Sequence, residues 1–172
     1  LGAEEPAEAT QAVLESAFKR ANTAVYEFGH KLAAGGRLAS AMIALVIEEG
    51  GVSAGRVGAM SAYLHRGVSL YPFFIEPPAE SGGFMGANSI VTIETASVDI
   101  EGGDTILLFS RVLDERQEQQ LLDSLAQHAV RRGAFERVVV PRLFPDAEEL
   151  EFALFASIGP EAIYLSEEIC VE

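Results

Sequence analysis

The stretch Ile100-Glu101-Gly102-Gly103-Asp104-Thr105-Ile106-Leu107-Leu108-Phe109-Ser110-Arg111-Val112-Leu113 sets the frame for the whole chain. Gly102-Gly103-Asp104 combines backbone freedom with a short hydrogen-bonding side chain, which is the chemistry of a tight turn. Ile106 to Phe109 is a continuous apolar run too short for a typical helix, so it predicts a buried strand. Asp114 follows as a helix N-cap with Gln117 as its capping-box partner, and Leu121, Leu122, Leu125 and Ala129 then recur on one helical face. Strand, exposed corner and helix in succession offer side chains to a ligand. Yet the corner is Ser110-Arg111-Val112, a cation and a β-branched residue where a metal or nucleophile site usually presents a carboxylate or a glycine.

Upstream, Leu14, Phe18, Ala21, Val25 and Phe28 recur at helical spacing from Gln11 to about Ala34, predicting an amphipathic helix that Thr10 can cap and Gly35-Gly36 ends. Asn22 on its flank reads as a structural hydrogen-bonder, and His30 near its end as a partner of the helix dipole. Ser40 to Ile47 has the length and apolarity of a central strand, closed by the hairpin turn Glu48-Glu49-Gly50-Gly51. Val52 to Leu64 is less regular; its small residues let neighbouring groups approach closely, and Gly58 predicts a bend. A second hairpin runs from Tyr63 through Gly67 to Tyr71, with His65 solvated beside its turn. Pro72 to Gly86 reads as a long loop, and Ile90 to Thr95 and Val98 to Ile100 as strands.

Downstream, the helix from Asp114 is expected to end near Arg131-Arg132-Gly133. Val138-Val139-Val140 predicts a strand stopped by Pro141. Beyond it lie an acidic run, Asp146 to Glu151, the apolar segment Phe152-Ala153-Leu154-Phe155 with no clear period, and a short strand from Ala162 to Leu165.

With 172 residues, the chain is long enough to bury a core of its own as one domain, 1–172. Its 26 acidic against 12 basic residues give a net charge of -14, which repels phosphate backbones and anionic lipid. Neither nucleic acid nor a membrane is therefore an expected partner. Cys170 is the only cysteine, so an internal disulfide and a cysteine zinc cluster are excluded, and a cytoplasmic setting is expected. No apolar run reaches the roughly 18 residues of a membrane span, and Leu1 to Ala9 lacks the basic start of a signal peptide.

The chain lacks the glycine-rich phosphate and dinucleotide loops, the paired-histidine zinc motif, the thiol pair and the nucleophile elbow. His30, His65 and His128 are not at ligand spacing. Asp104 belongs to a turn, Asp114 to a cap and Asp123 to the polar side of a helix; only Asp99 and Asp146 have no structural role in the sequence.

Taken in series, these segments resemble the protein phosphatase 2C family of metal-dependent serine/threonine phosphatases. Leu14 to Phe28 resembles the family helix carrying Asn-x-x-(Ile/Val)-Tyr, and Leu38 to Ile47 its Gly-(Thr/Ser)-Thr strand. Val57 to Gly67 resembles Val-Gly-Asp-Ser-Arg-Ala-Tyr-Leu-x-Arg-x-Gly, and Ile100 to Glu115 the strand that ends in Ser-Asp-Gly. Phe135 to Val140 is similar to the closing Asp-Asn-(Ile/Val)-Thr-Val-Val strand.

The resemblance implies an α+β fold, an α-β-β-α sandwich of two mainly antiparallel sheets flanked by helices, incomplete at the N-terminus. It also makes 142–172 a divergent C-terminal extension whose strands cover a sheet edge. Family members hold two or more Mg²⁺ or Mn²⁺ ions on aspartates and attack a phosphoester with a metal-bound hydroxide. Here the matching positions carry Ala59, Arg111 with Val112 in place of the glycine, and Ala134-Phe135. Methyl, phenyl and guanidinium groups donate no lone pair to a hard cation, and Arg111 adds a fixed positive charge where one would be held.

The expectation is a non-catalytic regulatory or scaffolding module that acts by binding a protein, with no catalytic residue, metal or cofactor. Arg111 then serves as an internal cation paired with a carboxylate, or as a grip for an acidic group on the partner. Two other readings stand beside it. One is an active phosphoprotein phosphatase that needs Mg²⁺ or Mn²⁺ on ligands such as Asp99, Asp114 or residues of a missing N-terminal portion; the other is a structural oligomerisation domain, with a homodimer as one form.

Overall fold

The computed structural model describes residues 6–32, 38–75, 83–127, 134–145, 153–159 and 163–165. In chain order the elements are α1 (Pro6–Lys31), β1 (Met42–Glu48), β2 (Gly51–Val57), β3 (Ser61–Arg66), β4 (Ser69–Pro72), β5 (Glu94–Asp99), β6 (Thr105–Phe109), α2 (Glu115–Gln127), α3 (Ala134–Leu143), β7 (Ala153–Ile158) and β8 (Ile163–Leu165). They fall into two compact units, the first holding residues 1–60 and 73–99, the second 61–72 and 100–172. Every pair of described strands is antiparallel. The fold class is α+β, as expected.

In the first unit the sheet order is β1-β2-β5 and α1 packs on one face. Leu14 and Phe18 meet Val57 and Met85, with Met42, Ala44 and Val46 of β1 against them. Gly55 makes this possible, because a Cβ there would lie 2.8 Å from Cε2 of Phe18. The missing side chain at Gly55 therefore lets an aromatic ring lie against the strand. Asn22 acts structurally: its buried amide donates to the carbonyls of Asn88 (3.0 Å) and Ser89 (3.2 Å) and accepts from the Gly86 N–H at 2.8 Å.

Several expectations are corrected here. Thr10 lies inside α1 and donates its hydroxyl to Glu48, because Pro6 starts the helix a turn earlier. Phe28 is 57% exposed, so the apolar stripe leaves the core before the helix ends. Among the described strands β1 is an edge strand rather than a central one, and its apolar residues are only half-buried. Residues 90–93 are not a strand; Val91 and Ile93 pack into the α1 cluster, and β5 starts at Glu94 opposite Arg56.

Residues 52–64 prove regular on both sides of one bend. Gly58, with φ of 90°, turns the chain from β2 into β3, a conformation that glycine adopts without strain.

The second unit has strand order β4-β3-β6-β7-β8. Every residue of β6 is buried, in keeping with its apolar run. Leu107 and Phe109 join Tyr63 of β3 on the face covered by Leu121 and Leu125 of α2 and by Val139, Val140 and Leu143 of α3. The tail supplies structure: β7 pairs along β6 from Thr105↔Ser157 to Phe109↔Ala153, and β8 follows it.

Val138-Val139-Val140 is helical, which corrects the predicted strand and the match of Phe135–Val140 to a closing family strand. Burial of Val139, Val140 and Leu143 on one side of α3 outweighs the β-preference of a valine run. Pro141 is tolerated on the exposed side of the last turn, where the Phe144 N–H donates to Val140 O at 2.9 Å beyond it. His65 is half-buried in β3 rather than solvated. Gly35-Gly36, Ala129, Arg131 to Gly133 and the acidic run from Asp146 lie outside the described residues.

Candidate functional site

The end of β6 delivers Ser110-Arg111-Val112 to the surface, and three local contacts fix that corner. Leu113 is buried as an anchor, and the Ser61 hydroxyl donates to the carbonyl of Arg111 at 2.8 Å. Asp114 then caps α2 reciprocally: its Oδ1 accepts the Gln117 N–H at 2.7 Å, and Gln117 Oε1 accepts the Asp114 N–H at 3.0 Å. The Gln117 amide also donates to Leu143 O at 2.7 Å, which ties the start of α2 to the end of α3.

Arg111 is exposed, with its guanidinium 4.9 Å from the centre of the Phe144 ring. Beside it opens a pocket of about 290 Å³ whose lining includes Arg111, Arg116 and Arg142 together with Asp114, Gln117 and Phe144. The corner was legible in the sequence, but the convergence of three arginines was not. Arg116 and Arg142 arrive from different helices, and no local spacing joins them.

The other singled-out residues fall elsewhere. Ala59 lies exposed in the bend between β2 and β3, in the first unit. Its bend is held by Arg56, a residue that no local motif singles out. Arg56 is 2% exposed, donates to Met60 O at 3.0 Å and to Glu94 Oε2 at 2.6 Å, and lies 4.3 Å from the Phe74 ring centre. Only the β2–β5 register, Arg56 opposite Glu94, reveals the pairing. Ala134 begins α3, so the correspondence that singled it out loses the strand it rested on. Asp99 is opposite Gly51 at the end of β5, Asp114 is engaged in capping, and Asp146 lies outside the described residues.

No protein-family model and no curated protein matches the sequence. Solved structures do match. PppA, a key regulatory component of T6SS in Pseudomonas aeruginosa, is 19% identical with a TM-score of 0.65, over 90% of this chain and 72% of that one. The Mycobacterium tuberculosis serine/threonine phosphatase PstP/Ppp is 15% identical with a TM-score of 0.68, over 86% of this chain and 72% of the other. The chain has the protein phosphatase 2C fold. The catalytic domain of PstP in complex with two manganese ions shares this phosphatase 2C fold, at 13% identity and a TM-score of 0.66, over 91% of this chain and 71% of that one.

Whether the residues of this phosphatase 2C fold suit such ions is decided by their donors. Among the described residues no three His, Cys, Asp or Glu side chains come together as a metal site needs. The corner after β6 offers a guanidinium, and the bend after β2 a methyl group. Neither supplies the oxygen that Mg²⁺ or Mn²⁺ requires, so the described residues do not fit a pair of divalent ions. No described helix is long and apolar enough to cross a membrane.

Proposed function

We propose that residues 1–172 act as one phosphatase-like domain that regulates or scaffolds by binding a protein in the cytoplasm, without catalysis and without Mg²⁺ or Mn²⁺. The observation that supports this reading is Arg111, a fixed cation at the strand-to-helix corner where the family resemblance places a metal-bearing aspartate. A guanidinium cannot be deprotonated near neutral pH and opposes a divalent ion at close range. Ala59 extends the same reading to a second position.

The test is hydrolysis of a generic phosphoester by the purified chain with Mn²⁺. Turnover is expected to equal the protein-free blank and to be unaffected by chelator. Manganese-dependent turnover that a chelator abolishes would overturn the proposal and favour an active phosphatase.

A further inference from the structure

We infer that the pocket beside Arg111 is a docking site for a short acidic segment of a partner protein, recognised through two spaced carboxylates. The inference rests on the binding role proposed above and names the chemistry of the partner.

The pocket belongs wholly to the second unit and takes its cations from three stations: Arg111 at the corner after β6, Arg116 in the first turn of α2 and Arg142 in the last turn of α3. Among the described residues that line it, three guanidiniums stand beside the carboxylate of Asp114, within a chain whose net charge is -14. Where acids outnumber bases this strongly, a cation readily finds a carboxylate, and Lys19, Arg56 and Arg66 each do. Among the described residues Arg116 and Arg142 pair with none. Among the described residues their charge therefore meets no salt-bridge partner.

The walls are also held in place. Arg111 lies against the Phe144 ring, and Gln117 bridges the two helices through Leu143 O. Less ordering is then needed on binding, which favours affinity from few contacts. Planar guanidinium forks match carboxylate oxygens two by two, and Phe144 with Pro145 gives an apolar wall for a side chain beside them.

Two separated monoanions suit this lining better than one concentrated dianion. The cations come from separate stations, and Asp114 among them repels a dianion about twice as strongly as a monoanion.

Panning a displayed random-peptide library against the intact chain is expected to enrich sequences with two acidic residues close together. An enriched peptide, labelled with fluorescein, is expected to lose about tenfold or more in affinity for the Arg116→Ala/Arg142→Ala variant, and again when its acids become amides. Both arginines are exposed, so the variant keeps the fold, which circular dichroism verifies. Enrichment without acidic residues, no enrichment, or affinity indifferent to the two arginines would overturn the inference. A phosphoserine version that binds more than about tenfold tighter than its carboxylate parent would overturn the assignment to carboxylates. Manganese-dependent phosphatase activity would remove the non-catalytic reading while leaving the peptide result intact, so the two claims fail separately.

Discussion

Arg66 on β3 grips Asp104, the residue that precedes β6, through two parallel hydrogen bonds, Nε–H to Oδ1 at 2.9 Å and Nη2–H to Oδ2 at 2.6 Å. The same Oδ2 accepts the Glu101 N–H at 2.8 Å, so one carboxylate closes the Gly102-Gly103 turn and ties it to the sheet. The hydrogen bonds from Arg66, opposed by burial, hold the Asp104 carboxyl below its ordinary value near 3.8. A depressed carboxyl contributes stability that is complete above the unfolded-state value and is lost as pH falls through the folded one. Thermal midpoints are expected to fall below about pH 4, and Asp104→Asn to lower the neutral-pH midpoint by several degrees while flattening that acid limb. An acid limb equally steep in the variant would refute the assignment.

His65 adds a second step at higher pH. Burial lowers its pKa, against the raising influence of Asp104, so the folded chain favours the neutral ring. As pH falls below about 6.5 the unfolded chain takes up this proton first, and the folded state loses stability relative to it. His65→Gln is expected to erase this step and leave the lower one. Circular dichroism melts across the range separate the two.

The reciprocal cap on α2 is testable on its own. Asp114→Ala removes the acceptor for the Gln117 N–H and is expected to cost about 1 kcal/mol in urea unfolding. Asp114→Ser, which keeps a capping oxygen, is expected to recover most of it.

Phe18 and Gly55 are expected to respond as a unit. Phe18→Ala leaves a cavity on the first sheet and costs about 3–5 kcal/mol. Gly55→Ala places a methyl group 2.8 Å from the Phe18 ring and is destabilising in the native background. In the Phe18→Ala background the same methyl has room, so the double variant is expected to be more stable than the sum of the two costs. Strict additivity in denaturant titrations would contradict the contact.

Replacing the corner cation with a carboxylate is not expected to create a metal site. Arg111→Asp supplies one carboxylate at the corner after β6, and hard divalent ions need several oxygen ligands. Calorimetric titration with Mn²⁺ is expected to show no binding heat, and a stoichiometric heat would show that donors are present after all.

Local chemistry carried much of this structure into view. The glycine turn, the apolar run of β6, the Asp114–Gln117 box and both hairpins are encoded within a few residues each, and each is found. Features that depend on distant partners were not visible. Val139 and Val140 of α3 read as part of a strand because their helical state comes from burial against β3, β6 and α2. Apolar residues on both faces gave β1 the look of a central strand, although its place in the sheet is set by neighbours. The same limit applied to function: Arg111 stood out at its corner, while Arg116 and Arg142 gain meaning only once two helices bring them to one pocket.

β6 finds its second hydrogen-bonding neighbour in β7, which is encoded more than forty residues later. On the ribosome, then, an apolar edge emerges well before the segment that covers it. The nascent protein carries an open template for intermolecular pairing during that interval, and its yield in a cell depends on how fast translation proceeds and whether a chaperone shields the gap.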